Sequence, residues 1–459
     1  MSISPDIFRA YDIRGVVSDK LTPEAVEQIG RAFGSECVER NIPTVVVARD
    51  GRLSGPDLIA ALSTGIQSTG VNVISIGMVP TPVLYFATYH LNTGTGIMVT
   101  GSHNPPEYNG LKMVLSGDAL FGDGITALYT RIQENRLVSN SAGSFEEQDI
   151  LQQYLDRITG DVKLARPMSI AFDCGNGVAG AAAPQLFDAL GCKSDALFTE
   201  VDGSFPNHHP DPAKLENLED LVTVVKNKRH EVGLAFDGDG DRVGVIDDKG
   251  QVIWPDRQMI LFARDVLDRN PGARIIYDVK CSKLLPEAIT AAGGVPDMWK
   301  TGHSFIKARI KETGAQLGGE MSGHMFFKER WYGFDDALYA AARLLEILSR
   351  TNQPASEIFG QIPDSINTPE LNVLLDEDGA QHTFMEKFIE GSTFDGATLT
   401  TIDGVRADYP DGWGLVRASN TTPSLVIRFE ADTDEAMQRI QSQFRANMQA
   451  IDSSIKAPF

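Results

Sequence analysis

Residues 237–242 read DGDGDR, three carboxylates at alternate positions separated by glycines. Glycine lets a backbone fold tightly round a small ion, and Asp237, Asp239 and Asp241 on one short turn suit a hard divalent cation such as magnesium, with a phosphate supplying further oxygen. An acidic surface turn is the competing reading. A calcium-binding EF-hand is not, because the sixth position of such a loop would be Arg242 and the twelfth Asp248, where glycine and glutamate are needed.

A second loop, TGSHNPPEYNG at 100–110, follows the apolar run IMV. Pro105 and Pro106 forbid a helix there, so the Gly-Ser-His corner reads as a sharp exposed loop that presents Ser102. A third, RASNTTP at 417–423, offers a guanidinium, hydroxyls and an amide. Arg417 is a bidentate donor for phosphate, with Ser419, Asn420, Thr421 and backbone N–H groups completing a cradle. On its own this loop reads first as a plain Ser/Asn/Thr turn. GEMSGH at 319–324 sets Glu320, Ser322 and His324 on a strand-to-loop corner, where a carboxylate beside a hydroxyl can grip neighbouring sugar hydroxyls. The alternative is a capped helix start. TGH at 301–303 adds His303; singly, His103, His303 and His324 each read as local hydrogen-bonders.

GNGVAG at 175–180 points elsewhere. It is a GxGxxG after a strand, with Glu200 beyond the next strand-like run, and so meets the pattern of an NAD-dependent dehydrogenase. Against it, the same frame recurs twice without that fingerprint, at ARDGRLSG and YDVKCSK. No GxSxG elbow surrounds Ser102 and no GxxxxGK[ST] loop occurs, which disfavours an α/β-hydrolase or a P-loop NTPase.

The elements that must position these loops repeat three times. An apolar strand ends in aspartate at VVVARD (Asp50), SIAFD (Asp173) and RIIYD (Asp278). A helical stretch follows each, then a glycine (Gly70, Gly191, Gly294) opens a second strand. A third strand then runs into GIMVTGSHNP, VGLAFDGDGDR or GAQLGGEMSGH. Alternating strand and helix predict α/β units with mixed, largely parallel sheets and functional loops at strand ends. From about 365 the text turns to alternating strands and a closing amphipathic helix near 433–450, a smaller α+β domain. Expected boundaries divide the chain into 1–147, 148–252, 253–364 and 365–459.

The 459 residues carry a net charge of −21, so nucleic acid and anionic membranes are poor partners, and an anionic substrate requires a local basic pocket. Cys37, Cys174, Cys192 and Cys281 are scattered, without zinc-site or disulfide spacing. The first residues lack a secretory apolar core and no stretch reaches a membrane span. A cytoplasmic location is expected.

The four loops in this order resemble the α-D-phosphohexomutase family: a TGSHNP phosphoserine loop, a DGDGDR metal loop, a GEMSGH sugar loop and an RxSNT phosphate loop. The similarity covers essentially the whole chain. FPNHHPDP at 205–212, KTGHSFIK at 300–307 and Met321 of GEMSGH are most like the bacterial phosphomannomutase/phosphoglucomutase branch. The resemblance implies four domains round a central cleft. It makes Ser102 the carrier of a phosphoryl group and places magnesium on its phosphate oxygens and on Asp237, Asp239 and Asp241. It lines the reaction centre with Tyr11, Arg14, His103, Asn104, Lys112, Arg242, Lys280 and His303. Lys112 is expected to handle a proton at the sugar hydroxyl and His324 one on the opposite side, with Arg14 and Lys280 stabilising charge. Glu320 and Ser322 would hold sugar O3 and O4, and Arg417, Ser419, Asn420 and Thr421 the phosphate that is not reacting. The implied activity is phosphoryl transfer between C1 and C6 of glucose and mannose phosphates through glucose 1,6-bisphosphate or its mannose counterpart. Phosphoglucosamine mutase and a non-catalytic sugar-phosphate sensor are the alternatives. A monomer acting on small sugar phosphates is the expected state.

Overall fold

The computed structural model describes residues 3–377, 379–420 and 422–459, so Thr421 lies outside the described residues. Three α/β units follow one another, each with the same core. The first strands, Thr44–Arg49, Ser169–Asp173 and Arg274–Asp278, are rich in Val, Ile and Phe and are buried on both faces. That is why they read as continuous apolar runs without alternation. Each lies between a second strand (Asn72–Met78, Lys193–Leu197, Val295–Trp299) and a third (Gly96–Val99, Val232–Phe236, Leu317–Gly319), all parallel. An antiparallel strand then returns beside the third: Tyr108–Leu115, Val243–Asp247 or Met325–Phe327. The three units therefore share one strand order, and the repetition read from the three aspartate-ended strands is real.

Register fixes where the chemistry sits. Val99 pairs with Leu111, Phe236 with Val243 and Gly319 with Met325. The TGSHNP, DGDGDR and GEMSGH segments are thus the three equivalent hairpin connections between third and returning strands. They leave the carboxyl ends of parallel strands, where open α/β sheets bind their ligands.

The fourth unit is an antiparallel sheet in which Val405–Tyr409, Gly412–Ala418 and Ser424–Ala431 pair in sequence. The closing helix Asp434–Ile451 packs on it, its first turn capped by the Thr433 hydroxyl accepting from the Ala436 N–H. A second helix, Ala380–Gly391, also covers this sheet; the sequence reading did not include it. Arg417 lies near the end of the strand Gly412–Ala418, and Ser419 and Asn420 follow it.

Packing separates this last unit from the rest. One continuous buried cluster runs through the first three units and includes Val46, Met98, Phe172, Phe236, Ile275 and Leu317. The fourth has its own, centred on Phe388, Val416, Ile427 and Phe444. A small patch of Val279, Trp413 and Leu415 joins third to fourth. Three α/β units are thus followed by a smaller α+β unit, and the hairpin loops of the first three meet one another through Ser102–Asp237 and Arg242–His324. Among the described residues no helix is long and apolar enough to cross a membrane.

Candidate active site

The strand-terminal aspartates tie down the loops. Asp50 accepts from the Thr100 hydroxyl at 2.8 Å and the Gly101 N–H at 3.1 Å. Asp173 accepts from the Gly175 N–H and contacts His208 Nε2. Asp278 accepts from the Lys280 N–H and the Thr301 hydroxyl. Each buried carboxylate thereby fixes the segment that follows its own strand or a neighbouring one.

Among these loops Ser102 meets the aspartate triplet. Its hydroxyl donates to Asp237 Oδ2 at 3.2 Å and lies 3.1 Å from His103 Nδ1. The sequence reading took the loop to be exposed, and this needs correction. Pro105, Pro106 and Glu107 are exposed, but Ser102 is 3 % exposed, because the DGDGDR loop covers it: a side chain on Gly238 would meet the Ser102 carbonyl oxygen at 2.3 Å. His103 is held neutral by burial, reinforced by the charges of Arg242 and Arg14.

Asp237, Asp239 and Asp241 each offer a carboxylate oxygen within 4.8 Å of the others. Asp237 Oδ1 accepts the N–H groups of Gly240, Asp241 and Arg242, each at 3.1 Å, and Arg242 Nε donates to its Oδ2 at 3.0 Å. Burial, with the nearby Asp241 charge, pushes its carboxyl up to about 7. Lys112, on the returning strand, donates to Asp239 Oδ2 at 2.7 Å and Asp241 Oδ2 at 2.5 Å. Asp239 Oδ1 and Asp241 Oδ1 are buried without a hydrogen-bond partner among the described residues. A buried unsatisfied carboxylate oxygen is costly; Asp241 Oδ1 has the His324 imidazole 3.3 Å away, whereas a hard divalent cation would satisfy Asp239 Oδ1. The residues present fit magnesium.

His324 joins the third unit to this cluster. Arg242 and His324 form an antiparallel backbone bridge. The imidazole places Nε2 3.3 Å from Asp241 Oδ1 and Nδ1 3.0 Å from Glu320 Oε2 and 2.9 Å from the Ser322 hydroxyl. Burial opposes its charge, but Asp241 and Glu320 outweigh that and push it up to about 10. Glu320 is buried, its other oxygen accepting the Gly302 N–H at 2.5 Å. The expected sugar-gripping carboxylate is thus engaged by protein groups here. The His303 and His324 rings stack at 5.6 Å, and His303 is held by Asp335, whose other oxygen accepts from Lys307 at 2.8 Å. Asp335 also converges with Asp241 and His324, but Lys307, His324 and Lys112 already balance those two carboxylates.

A second constellation forms where the fourth unit closes on the first and third. Tyr11 donates to the Thr301 carbonyl at 2.8 Å and accepts from Asn420 Nδ2. Asp403 accepts from the Thr301 N–H and from Arg417 Nε, both at 2.9 Å, while Arg417 Nη2 is buried with no hydrogen-bond partner among the described residues. The Ser419 hydroxyl accepts the Thr422 N–H. Lys280 donates to Glu370 at 3.0 Å, and Lys280 followed by other cations, Arg417 among them, holds that carboxyl below its usual range. The turn carrying Lys280 is gripped by the fourth unit: Arg406 donates to the Val279 and Cys281 carbonyls, Arg428 to that of Lys280, and the Ser282 hydroxyl to Glu430. Arg14 lies near enough to His103 for its charge to act there. It donates to Asp12 at 2.5 Å and lies opposite Gly110 in the sheet.

Cations and hydroxyls thus gather in two constellations, one on the buried carboxylate triplet and one where the fourth unit meets the first and third. Four family models match consecutive stretches. They are the phosphoglucomutase/phosphomannomutase alpha/beta/alpha domains I (residues 5–138), II (152–250) and III (254–366) and the C-terminal domain (370–447). The chain belongs to the phosphoglucomutase/phosphomannomutase family. A phosphomannomutase/phosphoglucomutase of Pseudomonas aeruginosa is 55% identical over 458 residues, covering 100% of this chain and 98% of the relative. A phosphoglucomutase of Neisseria gonorrhoeae is 54% identical over 447 residues, 97% of each chain. The crystal structure of a phosphoglucomutase/phosphomannomutase family protein from Burkholderia thailandensis superposes with a TM-score of 0.94 at 53% identity, covering 100% of both chains. This phosphohexomutase is an enzyme of the isomerase class.

Membership leaves the dinucleotide fingerprint without a role, and packing shows why its glycines are there. Side chains on Gly177 and Gly180 would meet Gly238 at 3.0 Å and the Thr199 carbonyl at 2.0 Å. Gly177 lets this loop press on the DGDGDR loop and Gly180 lets it press on the Thr199 backbone. The residues that sequence reasoning missed are mainly second partners: Asp50, Arg52, Asp335, Asp403 and Glu370. For Asp50 a signal was present, since it ends the first of the three repeated strands.

Proposed function

We propose that this enzyme interconverts hexose 1-phosphates and hexose 6-phosphates of glucose and mannose through a phosphoserine at Ser102. The observation that carries the reading is the Ser102 hydroxyl 3.2 Å from Asp237, within a buried carboxylate triplet whose Asp239 Oδ1 has no hydrogen-bond partner among the described residues. A phosphoseryl group brings nearly two negative charges. Asp237, Asp239 and Asp241 already face Lys112, Arg242 and His324, so the dianion calls for a further double positive charge. Asp237, Asp239, Asp241 and a phosphoserine oxygen would hold magnesium, which when bound neutralises phosphate charge and favours transfer.

The chain's own groups divide the remaining work. The free hydroxyl of the bound sugar phosphate attacks phosphorus, the bond from phosphorus to Ser102 Oγ breaks, and a 1,6-bisphosphate results. After the bisphosphate turns end for end, Ser102 Oγ attacks its other phosphate and the remaining monophosphate leaves. Lys112 is assigned to proton transfer at the sugar hydroxyl and His324 to the opposite side; both stand protonated here, so each gives its proton to the leaving oxygen and takes up the one lost by the attacking hydroxyl, and one proton passes from attacking to leaving oxygen in each half. Arg242 and Arg14 stabilise charge near His103. Arg417, Ser419, Asn420 and Thr421, with Lys280, hold the distal phosphate, and the Glu370 carboxylate is the anion that Lys280 holds in this structure. Tyr11 ties that pocket to Thr301. Glu320 and Ser322 take the sugar hydroxyls once the cleft opens to admit them.

The division into 1–147, 148–252, 253–364 and 365–459 assigns one hairpin or turn of the site to each domain, with a hinge near 364. Glucose 1,6-bisphosphate serves as intermediate and activator, and the enzyme works as a cytoplasmic monomer. A coupled assay on glucose 1-phosphate, mannose 1-phosphate and glucosamine 1-phosphate, run side by side, tests the reading. Turnover of the first two at comparable kcat/KM is expected. Preference for the glucosamine ester, or binding without turnover, would overturn it.

A further inference from the structure

Ser102 adopts φ +50°, a left-handed conformation that an L-residue holds at a cost of about 1–2 kcal/mol. Something must impose it. The Ser102 N–H donates to the Thr100 hydroxyl, which in turn donates to Asp50. On the other side of the loop stands Arg52, 1 % exposed. Its Nη1 donates to the carbonyls of Pro105 at 2.6 Å and Tyr108 at 2.9 Å, and its Nη2 to those of Ser102 at 2.8 Å and Asn104 at 2.6 Å. Asp50 orients it, accepting the Arg52 N–H at 2.9 Å and standing 3.3 Å from Nε. Phe205 of the second unit closes over the guanidinium at 5.4 Å. Gly101 lies flat against it: a Cβ there would stand 2.4 Å from both Cζ and Nε.

Four carbonyls of one loop therefore converge on a single planar cation. A fixed fork of donors can span them, whereas a lysine ammonium, a point charge, cannot. Carbonyl oxygens repel a phosphoryl dianion, so a loop that carries one gains from having its carbonyls bound by a cation. Arg52 touches none of the reacting atoms.

We infer that Arg52, oriented by Asp50, is a positioning residue that fixes the turn at Ser102 and so sets the direction in which the phosphoserine meets its acceptor. The inference rests on the phosphoserine reading above. Two variants test it: Arg52→Lys, which keeps the charge and loses the fork, and Gly101→Ala, which drives a methyl into the guanidinium and leaves Arg52 in place. Each is loaded with glucose 1,6-bisphosphate and mixed with excess glucose 1-phosphate in a rapid-quench instrument. Phosphate loss from Ser102 is counted per folded, phosphorylated molecule, with the folded fraction taken from circular dichroism. Both variants should transfer about 100-fold more slowly than wild type, the penalty of a misplacement of order 1 Å, with KM for glucose 1-phosphate changed less than about threefold. A purely structural role would lower the folded fraction and leave that single-turnover rate alone; rates within threefold of wild type in the variants that fold overturn the inference. A wild type that turns over with no phosphate on Ser102 overturns the underlying reading, and this inference with it.

Discussion

Asp239 keeps one buried oxygen without a hydrogen bond while its other oxygen is shared by Thr81 at 2.6 Å and Lys112. If that free oxygen is a metal ligand, Asp239→Asn should raise the magnesium concentration for half-maximal activity by more than about tenfold. It should also shrink the rise in melting temperature that magnesium gives the wild type, since only binding to the folded state stabilises. An unchanged magnesium requirement would count against the triplet as the metal site. At this scale the sequence was informative where residue types cluster distinctively: alternating aspartates with glycine, or a serine set between glycine and histidine with two prolines close behind. It was silent on Arg52 and Asp335, because an arginine or aspartate that acts through a distant partner has no local pattern. Burial of Ser102 was also invisible, since the loop that covers it lies in another unit.

Elements carry their own tests. The helices Pro23–Glu39 and Gly55–Gln67 cross with backbones in contact: a side chain on Gly65 would meet the Glu27 carbonyl at 2.1 Å. Gly65→Ala should therefore cost about 1–3 kcal/mol in urea unfolding, although alanine is the better helix former. The helices Pro255–Arg269 and Ala337–Ser349 are locked by buried Arg343, which donates to Asp265 at 3.0 Å and Glu329 at 2.9 Å. Burial alone would raise the Asp265 carboxyl, but hydrogen bonds from Arg269, Arg350 and Arg343 outweigh it and hold it below the usual range. Its contribution is present above about pH 4 and lost as the pH falls through and below that value. Asp265→Ala should cost about 3 kcal/mol at neutral pH and flatten the acid limb of stability against pH; an equal loss at pH 3 and pH 7 would refute the assignment. The strands were legible because burial on both faces leaves unbroken apolar runs. The helix Ala380–Gly391 was not, because of its inward positions Gln381, Phe384, Met385 and Phe388 only three are apolar, too short a stripe to stand out.

In the whole molecule, Tyr11 is the point where the first, third and fourth units touch, through the Thr301 carbonyl and Asn420. Losing that hydroxyl removes a hydrogen bond worth about 1 kcal/mol, so Tyr11→Phe should raise KM about fivefold and speed amide exchange in the 417–423 turn, with the core of the first unit unaffected. Packing is shared among the three α/β units, and the fourth has a separate core, so the hinge is proposed at its boundary. That division could not be read from order alone, since it depends on which faces meet. The account stands on a phosphoryl group held by Ser102 and passed to sugar. Intact-mass spectrometry of the purified protein, before and after brief mixing with glucose 1-phosphate, tests this most directly. A species heavier by one phosphate, mapped to Ser102 and discharged by the sugar while Ser102→Ala is inert, is predicted; full activity in protein that never carries phosphate at Ser102 would contradict it.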